Sequence, residues 1–400
     1  MREISILKNP IKYYAWGSHT AIPELLGQPT PSDKPHAELW MGAHPRAPSE
    51  IMVDGNWQPL PQLIDKWPVE ILGKRAAEKF NGKLPFLFKV LAAAMPLSIQ
   101  AHPSLRQAKE GFARENSLGI PLTSSNRSYR DENHKPEMVC ALTPFWALNG
   151  FRKFSDMLSM LKAINPPALS REIRDLEGHP DSDGLRRFFS AIITLDEPRK
   201  RLTLRDAISS AEKGTREDPA FKWVLRLHVQ YPGDIGVLSP LLLNVVKLEP
   251  GQAMFLRAGQ LHAYLEGVGI ELMANSDNVI RGGLTPKYVD VPELLRILNF
   301  TESEIGILTP EKQSSGESAY TSNAEEFRLS VIGVKAGTPY MSPEDRSVEI
   351  MICVQGKASV EDLEGGKTLE LYRGTCILVP AAVRQYRIQG QATLYKASVP

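Results

Sequence analysis

The spacing of apolar residues changes twice along this 400-residue chain, and this change constrains the fold more than any other feature. Up to about Arg152, short apolar runs such as LPFLFKVL and FWALNGF alternate with Pro, Gly and Asn, which is typical of strands joined by turns. From about Lys153 to Tyr231, apolar residues recur at intervals of three and four, as in SDMLSMLKAI, which predicts helices. Strand patterns return at Leu241 and again from about Leu329. The sequence therefore predicts a mainly β protein with an α-helical insertion.

Many short strands separated by turn residues favour barrels or sandwiches over parallel βαβ units. We predict two β-barrels and a helical domain. The first barrel is discontinuous and comprises residues 1–152 and 232–328. The helical insertion comprises residues 153–231, and the second barrel residues 329–400.

Helix boundaries inside the insertion are predicted from capping residues. Ser155 and Ser170 each precede or open a helical run, as N-caps do. Gly178 and Gly214 follow the runs, as residues at helix ends do.

Charge and cysteine content argue against several kinds of partner and compartment. Lysine plus arginine (47) nearly balance aspartate plus glutamate (46), so there is no general reason to expect a nucleic-acid or membrane-surface partner. The odd number of cysteines, Cys140, Cys353 and Cys376, predicts buried reduced thiols and a cytoplasmic protein. The N-terminus lacks the apolar core of a signal peptide, and no run of about 18 apolar residues predicts a membrane span.

Histidine is unevenly distributed, because all eight histidines precede Tyr264. The predicted second barrel therefore has no imidazole to offer a metal. In PLSIQAHP, the side chains of Ser98, Gln100 and His102 share one face of a strand. His262 and Tyr264 share a face in GQLHAYLEG. Any histidine metal site is expected in the first barrel.

A carboxylate at the start of an apolar strand extends this pattern. Glu137 opens EMVCAL and shares a face with Val139 and Ala141. A buried carboxylate without a partner is costly, and a cation offsets that cost. The side chains that offer a mixed nitrogen and oxygen shell for zinc or a similar divalent ion are Gln100, His102, Glu137 and His262.

Taken singly, these residues leave another interpretation open. A histidine in a strand is more often a hydrogen-bonded core residue than a ligand, and a Gln-x-His pair recurs by chance. The spacing is not that of a zinc finger, and the cysteines are placed wrongly for one. The residues alone therefore do not decide between a metal site and an ordinary core.

Longer segments carry a family resemblance. They are YAWGS at 14–18, AELWMGAHP at 37–45, LPFLFKVL at 84–91, LSIQAHPS at 97–104, NRSYRDENHKPEM at 126–138, FWALNGFR at 145–152, YPGDIGVLSPLLLN at 231–244, GQLHAYLEG at 259–267 and NSDNVIRGGLTPKYVD at 275–290. In this order and spacing the chain resembles the type I phosphomannose isomerases, zinc enzymes of the cupin superfamily. The resemblance covers nearly the whole chain and is weaker in the helical zone and the last barrel.

The resemblance implies cupin-like barrels of jelly-roll type and one zinc ion per chain, held by Gln100, His102, Glu137 and His262. It implies interconversion of D-mannose 6-phosphate and D-fructose 6-phosphate through a cis-enediol, within mannose and GDP-mannose metabolism. We also expect the enzyme to be a monomer.

Several residues are candidates for moving protons. Lys135 shares a strand face with Glu137, and a dication lowers the pKa of a nearby lysine, which suits a general base. Alternatively, Lys135 only orients Glu137. Asp277 and His134 are alternatives for ring opening. The resemblance marks Arg281, beside two glycines, as an active-site residue that contacts an anion or the enediolate.

Substrate contacts are less constrained, because the chain has no P-loop. For the phosphate we predict Ser98, Lys89 and Lys287. Lys89 interrupts an apolar strand, so it either faces a lined cavity or extends its charge to solvent. The other candidates for the cavity wall are Trp16, Tyr264 and Glu271. We interpret Glu38 and His44 as structural.

Two other functions compete with an isomerase. Two histidines and a carboxylate also bind iron(II) in oxygenases, and a sugar-phosphate binding protein without catalysis is possible on the same fold. The Gln100 ligand and the basic residues Lys135, Arg281 and Lys287 favour turnover of a phosphorylated substrate. The family relatives that also transfer nucleotidyl groups need a further domain, and no glycine-rich βαβ segment predicts one.

Overall fold

The computed structural model describes residues 2–213, 218–314 and 316–400. In chain order its strands are β1 (Ser5–Lys8), β2 (Ile11–Lys12), β3 (Glu38–Gly42), β4 (Glu50–Val53), β5 (Asn56–Pro59), β6 (Phe86–Ala93), β7 (Ile99–Ala101), β8 (Glu137–Ala141), β9 (Phe145–Phe151), β10 (Leu243–Leu248), β11 (Ala253–Leu256), β12 (His262–Ala274), β13 (Ile280–Gly283), β14 (Ile307–Leu308), β15 (Glu311–Ser314), β16 (Glu317–Tyr320), β17 (Arg328–Val334), β18 (Tyr340–Met341), β19 (Glu349–Asp362), β20 (Thr368–Tyr372), β21 (Cys376–Val379) and β22 (Tyr386–Ser398).

The helices of the described residues are α1 (Ala21–Leu25), α2 (Leu60–Lys66), α3 (Pro68–Leu72), α4 (Lys74–Lys79), α5 (Leu105–Ser117), α6 (Phe154–Ile164), α7 (Ser170–Gly178), α8 (Ser182–Ile193), α9 (Glu197–Glu212), α10 (Pro219–Gln230), α11 (Ser239–Leu242) and α12 (Val291–Ile297). Six of them, α6 to α11, follow one another between the strands β9 and β10. The prediction of a mainly β protein with a helical insertion is therefore confirmed. Within the part of the chain that the structure describes, no helix has the length and apolar content needed to cross a bilayer.

The first sheet has the strand order β14-β11-β8-β12-β6-β3-β2, with β7, β9, β10 and β13 attached alongside. The long strand β12 is its organising element, since it pairs antiparallel with β6, β7, β8 and β9. Side chains from four other strands therefore converge on β12.

The second sheet has the order β15-β16-β17-β22-β19-β21-β1-β4-β5, with β18 and β20 attached alongside. It includes the N-terminal strand β1, whose Ser5 is in register with Leu378 of β21. It also includes β15 and β16, which precede residue 329. Segments from both ends of the chain thus share this sheet, and the domain boundaries given above stay a prediction.

The strand β6 shows how the core is divided between the two faces of the first sheet. Phe88 and Val90 face a core that also contains Ile350 of the second sheet, so the two sheets pack on each other. Side chains alternate along a strand, and Leu91 belongs to a separate apolar cluster. Lys89 lies on that same side, which places its charge inside the first sheet's own interior.

Two of the predicted helix starts are wrong for an identifiable reason. The helix α6 begins at Phe154, with Lys153 in the N-cap position, so Ser155 lies inside the first turn. The Phe154 N–H donates to Glu302 Oε1 at 2.6 Å. A carboxylate from a distant loop thus accepts the hydrogen bond that a local N-cap side chain would otherwise accept.

Ser170 is the first residue of α7 and not its N-cap. Its hydroxyl donates to the Pro167 carbonyl at 3.0 Å, because a 3₁₀ turn leads directly into the helix. The end of α7 at Gly178 is confirmed. Gly214 lies outside the described residues.

The three cysteines are buried and free, as predicted. Cys140 Sγ lies 3.1 Å from the Tyr320 hydroxyl. Cys376 Sγ lies 3.4 Å from Met41 Sδ, and burial raises the pKa of the Cys376 thiol to about 12. These thiols are packing groups and not nucleophiles.

Candidate active site

Strand pairing and the folding of the first sheet together bring the predicted metal ligands to one place. The strand β12 begins at His262, which lies opposite Gln100 of β7, and His102 follows β7 directly. Glu137 opens β8 and is in register with Met273, at the other end of β12 from His262. Register therefore does not bring Glu137 to the two histidines, and the sheet must fold back on itself for the three side chains to meet.

Their donor atoms form a compact buried cluster. Glu137 Oε2 lies 3.4 Å from His102 Nε2 and 3.5 Å from His262 Nε2. One ligand atom from each of the three residues lies within 4.8 Å of the others. All three residues are at most 1% exposed.

The hydrogen bonds of the two imidazoles fix their tautomers. His102 Nδ1 lies 2.8 Å from the Asn278 carbonyl, and His262 Nδ1 lies 3.0 Å from the Gln260 carbonyl. A carbonyl oxygen only accepts, so each Nδ1 carries the proton and each Nε2 presents a lone pair. Two lone pairs therefore face a carboxylate oxygen with no proton between them.

This arrangement fits a divalent cation. His102 Nε2, His262 Nε2 and Glu137 Oε2 are buried and have no hydrogen-bond partner. Buried polar atoms without partners are rare and costly, and a metal bound to all three removes the penalty. Histidines that bind zinc usually do so through one ring nitrogen while the other ring N–H donates a hydrogen bond to a carbonyl or carboxylate.

The protonation states support the same conclusion. Burial lowers the pKa of His102 to about 4, although the Glu137 carboxylate acts in the opposite direction. His102 is therefore neutral near pH 7, as a ligand must be. Burial alone would raise the pKa of Glu137, but Lys135 and His102 outweigh it and hold that pKa well below its usual range.

Gln100 is half-buried on β7 between two of the predicted residues. It lies opposite His262 on one side and opposite Arg281 of β13 on the other. The sheet thus places the amide beside the cluster and Arg281 next to it. Gln100 remains our predicted fourth ligand.

Arg281 lies in a group of basic side chains that sequence reasoning only partly found. Burial lowers the pKa of Arg281, and the charge of Arg130 lowers it further. Lys287 has a pKa lowered by burial and by both arginines. No ion pair joins Arg281 or Lys287 to a carboxylate within the described residues. Because three neighbouring cations attract anions, we interpret this group as a candidate anion-binding site.

The two residues preceding Pro136 have different surroundings. Lys135 Nζ lies 3.1 Å from Glu137 Oε1, the oxygen that does not face the imidazoles. His134 Nε2 instead lies 2.6 Å from Glu326 Oε1, on the segment that leads into β17. The structure therefore brings Lys135 to the metal cluster and places His134 in a hydrogen-bonding contact with another part of the chain.

Asp277 follows β12 and is half-buried. Its Oδ1 contacts Arg46 Nη2 and lies 3.5 Å from His44 Nε2. The next residue, Asn278, provides the carbonyl that holds His102. Asp277 is thus linked to the metal cluster through the backbone, and His44 touches a predicted catalytic residue.

Lys89 lies in a buried charge network. Its ammonium lies 2.8 Å from Glu271 Oε2 and 3.4 Å from Glu38 Oε1, and the residue is 5% exposed. The alternative in which Lys89 extends to solvent is therefore wrong. Burial lowers the pKa of Lys89, but the two carboxylates outweigh this effect and raise it. Two carboxylates already lie beside the Lys89 ammonium, and its role as a phosphate contact stays a prediction.

Tyr264 completes this network, since its hydroxyl donates to Glu271 Oε1 at 2.9 Å. Its ring centroid lies 6.3 Å from that of His262, which connects the network to the metal cluster. Burial raises the pKa of Glu271, with Lys89 acting against this and Glu137 adding to it.

The remaining predicted residues lie at the edge of this region. Trp16 is half-buried, stacks on Tyr14 with ring centroids 5.6 Å apart, and packs against the apolar cluster that contains Tyr264. Ser98 is half-buried directly before β7. Both positions are consistent with a cavity wall.

Sequence reasoning missed some members of the site, namely Arg130, Arg46 and the contacts of Glu38 and His44. Glu38 and His44 stand in AELWMGAHP and Arg130 in NRSYRDENHKPEM. The family-like segments were therefore the available signal. A buried glutamate needs a partner. Glu38 has two, since its carboxylate lies 3.4 Å from Lys89 Nζ and accepts a hydrogen bond from the Trp40 Nε1–H at 2.8 Å.

The fold and this cluster define a class of protein: a mainly antiparallel β protein with a buried metal centre of histidine and carboxylate ligands. Comparison with known proteins narrows the class. Residues 4–154 match the family model for the catalytic domain of type I phosphomannose isomerase. The chain is 40% identical to mannose-6-phosphate isomerase of Escherichia coli, over 97% of both chains. It is 35% identical to the human mannose-6-phosphate isomerase, over 93% of this chain and 92% of that one.

Solved structures agree with the sequences. A zinc-bound crystal structure of mannose 6-phosphate isomerase superposes with a TM-score of 0.92 at 39% identity, covering 99% of both chains. A lysine-to-alanine variant of phosphomannose isomerase from Salmonella typhimurium superposes with a TM-score of 0.93 at 40% identity, also covering 99% of both. The chain belongs to the type I phosphomannose isomerase family.

Proposed function

We propose that this protein is a zinc-dependent aldose–ketose isomerase that interconverts D-mannose 6-phosphate and D-fructose 6-phosphate. The observation that carries the proposal is the buried trio of unpartnered ligand atoms on His102, Glu137 and His262, with Gln100 beside it. Relatives named mannose-6-phosphate isomerase span nearly the whole chain. When bound, zinc supplies a Lewis acid that stabilises negative charge on the sugar oxygens at C1 and C2.

Lys135 is the residue we assign to proton transfer between C2 and C1. As the neutral amine it takes the C2 proton, the C–H electron pair forms the C1=C2 double bond, and the electron pair of the C1=O1 bond moves to O1. A proton passes from the C2 hydroxyl to O1, the C2=O2 bond forms, and the ammonium of Lys135 returns its proton to C1. Lys135 Nζ is 3.1 Å from Glu137 Oε1, so the side chain is held at the cluster and is not free to swing into solvent. Its second possible role, to orient Glu137, uses the same contact.

The phosphate is assigned to the basic group formed by Arg130, Arg281 and Lys287. An anion placed among them relieves their mutual repulsion, and arginine forks match phosphate oxygens. Arg281 lies opposite Gln100 on the adjacent strand. A sugar phosphate held there therefore has its phosphate and its reacting carbons on one side of β7. Ser98, directly before β7, is a further contact in this proposal.

The first experiment measures isomerisation of mannose 6-phosphate by the purified protein, with zinc content determined on the same sample. Activity is expected to disappear after chelation and to return when zinc is restored. The assay is repeated without oxygen, because an iron(II) oxygenase stops under those conditions and an isomerase does not.

The proton route is tested by running the reaction in deuterium oxide. An enediol route with one proton carrier gives deuterium at C1 of fructose 6-phosphate in exchange with solvent, and Lys135→Met abolishes this while zinc stays bound. Fully zinc-loaded protein without turnover would instead point to a sugar-phosphate binding protein.

We further infer a cytoplasmic monomer without a nucleic-acid partner. The support is the balance of 47 basic and 46 acidic residues and the three free, buried thiols. Light scattering of the purified protein at two concentrations tests the monomer.

A further inference from the structure

Only one oxygen of the Asp277 carboxylate is held by neighbouring side chains. The backbone N–H of Asp277 donates to Asp131 Oδ2 at 2.8 Å, which fixes the loop between β12 and β13. Its Oδ1 faces His44 Nε2 at 3.5 Å and accepts a hydrogen bond from Arg46. Among the described residues, Oδ2 has no such contact. The carboxylate therefore has one anchored oxygen and one oxygen left to react.

The orientation of His44 is determined by its neighbours. The Arg46 backbone N–H donates to His44 Nδ1 at 3.3 Å, so Nδ1 is the acceptor and Nε2 carries the proton. His44 is 4% exposed, and its ring packs edge-on against Trp40, with centroids 4.9 Å apart. A ring fixed in this way points its Nε2–H at Asp277 Oδ1, while Nδ1 is already occupied by the Arg46 N–H.

Charge at this position keeps Asp277 ionised. Burial raises the pKa of Asp277, but the contact with His44 and the charges of Arg46 and Lys135 outweigh it, so the pKa lies below its ordinary value. The other groups that interact electrostatically with Asp277 are Lys12 and Tyr14. Near neutral pH, Oδ2 is therefore a proton acceptor.

We propose that His44 and Arg46 are positioning residues that hold Asp277 Oδ1, so that Oδ2 acts as the base that opens the sugar ring. This inference rests on the proposed function. Oδ2 takes the proton of the hydroxyl on C1, and the O–H electron pair becomes the C1=O1 bond. The C1–O5 pair stays on the ring oxygen O5, which takes the proton back from Asp277. No co-reactant is needed, and Asp277 is regenerated.

The test compares His44→Ala, His44→Gln and Arg46→Ala with the unchanged zinc-loaded enzyme. His44→Ala and Arg46→Ala are expected to lower kcat about tenfold or more with KM nearly unchanged. The acid limb of the kcat profile moves to higher pH, because the pKa of Asp277 rises when a donor is lost. His44→Gln restores most of the activity, since its amide N–H also donates to Oδ1.

A second readout isolates ring opening. Exchange between the α and β anomers of mannose 6-phosphate, followed by two-dimensional exchange NMR, requires ring opening but no proton transfer at C2. The same variants are expected to slow enzyme-catalysed anomer exchange in proportion to kcat. The matched control is His36→Ala, which removes another buried histidine that has no contact with Asp277.

Two results overturn the inference: a zinc-loaded His44→Ala enzyme with unchanged kcat and acid limb, or a His44→Gln enzyme as impaired as His44→Ala. If His44→Ala does not fold, Arg46→Ala decides the question, because that side chain is 59% exposed. An unchanged protein that does not isomerise mannose 6-phosphate overturns the proposed function as well. Failure confined to the variants concerns only this inference.

Discussion

Each of the two sheets contains a buried lysine between two glutamates, and only one of these lysines lies at the candidate active site. In the first sheet, Lys89 pairs with Glu271 and Glu38. In the second sheet, Lys396 lies 2.8 Å from Glu317 and 3.1 Å from Glu349. Each network also includes a tyrosine whose hydroxyl donates to a glutamate at 2.9 Å.

The difference between the two regions lies next to these networks and not inside them. Each carboxylate oxygen of Glu317 and Glu349 has a donor, from Lys396 or from a tyrosine. Beside the first network stands the histidine–carboxylate trio with three unsatisfied atoms. Buried charge alone is therefore a structural feature here, and the unsatisfied ligand atoms mark the reactive site.

The largest expected effect tests the trio directly. Glu137→Gln replaces an anionic ligand by a neutral amide, so zinc binding weakens and kcat/KM falls by more than about a hundredfold, the upper end for loss of an outer partner of a metal ligand. The measurement is isomerase activity with zinc content. The matched variant in the second sheet is Glu349→Gln, beside Lys396, and it is expected to keep activity within a factor of about two. Full turnover by metal-loaded Glu137→Gln would contradict the assignment.

The next effect compares the two lysines. Lys89→Met and Lys396→Met each leave two buried carboxylates without their cation, so each is expected to lower the free energy of unfolding by about 3–5 kcal/mol. Urea unfolding measures this loss. Only Lys89→Met is expected also to lower the kcat of the folded enzyme, because Lys89 and Glu271 adjoin the metal cluster. Equal losses of kcat in both variants would mean that the comparison reflects stability alone.

A smaller effect compares the two tyrosines. Tyr264→Phe and Tyr386→Phe each remove a hydroxyl that donates to a buried glutamate, at an expected cost of about 1–3 kcal/mol. Thermal unfolding measures both. Tyr264→Phe is expected to change KM or kcat as well, since its ring is near His262. A change of kinetics in Tyr386→Phe alone would reverse the assignment of the two networks.

Much of the first sheet was predictable from local patterns, because short apolar runs such as LPFLFKVL are separated by Pro, Gly and Asn. The ligands His102, Glu137 and His262 stand at strand ends, where a polar residue next to an apolar run is conspicuous. Partners far away in the sequence were not predictable. Lys89 is 51 residues from Glu38 and 182 from Glu271, and only strand register brings them together.

The errors have the same origin. Ser155 has the right residue type for an N-cap, but Glu302, 148 residues from Phe154, accepts from the first turn of the helix. The strand β1 pairs with β21, although nothing in SILK indicates a partner near the other end of the chain. Residue type and periodicity determine local structure, whereas pairing across the chain depends on packing that no single segment encodes.

The smallest expected effect concerns acid stability of the second network. Burial raises the pKa of Glu317, but Lys396 and the hydroxyl of Tyr340 outweigh this and hold it below the ordinary value of 4.5. A carboxyl with a lowered folded-state pKa stabilises the fold above the unfolded-state pKa. That stability is lost as the pH falls through the folded-state pKa, at about 1.4 kcal/mol for each pKa unit of difference.

Glu317→Gln is therefore expected to flatten the dependence of the free energy of unfolding on pH below about pH 4.5, as measured by urea unfolding at a series of pH values. The control Glu364→Gln removes a carboxylate that is 59% exposed in the same region and so accounts for the lost charge itself. An unchanged slope in Glu317→Gln would show that Lys396 is neutralised by Glu349 alone. In that case a single ion pair would stabilise the second network. The two networks would then contain the same residue types but would contribute differently to the free energy of unfolding.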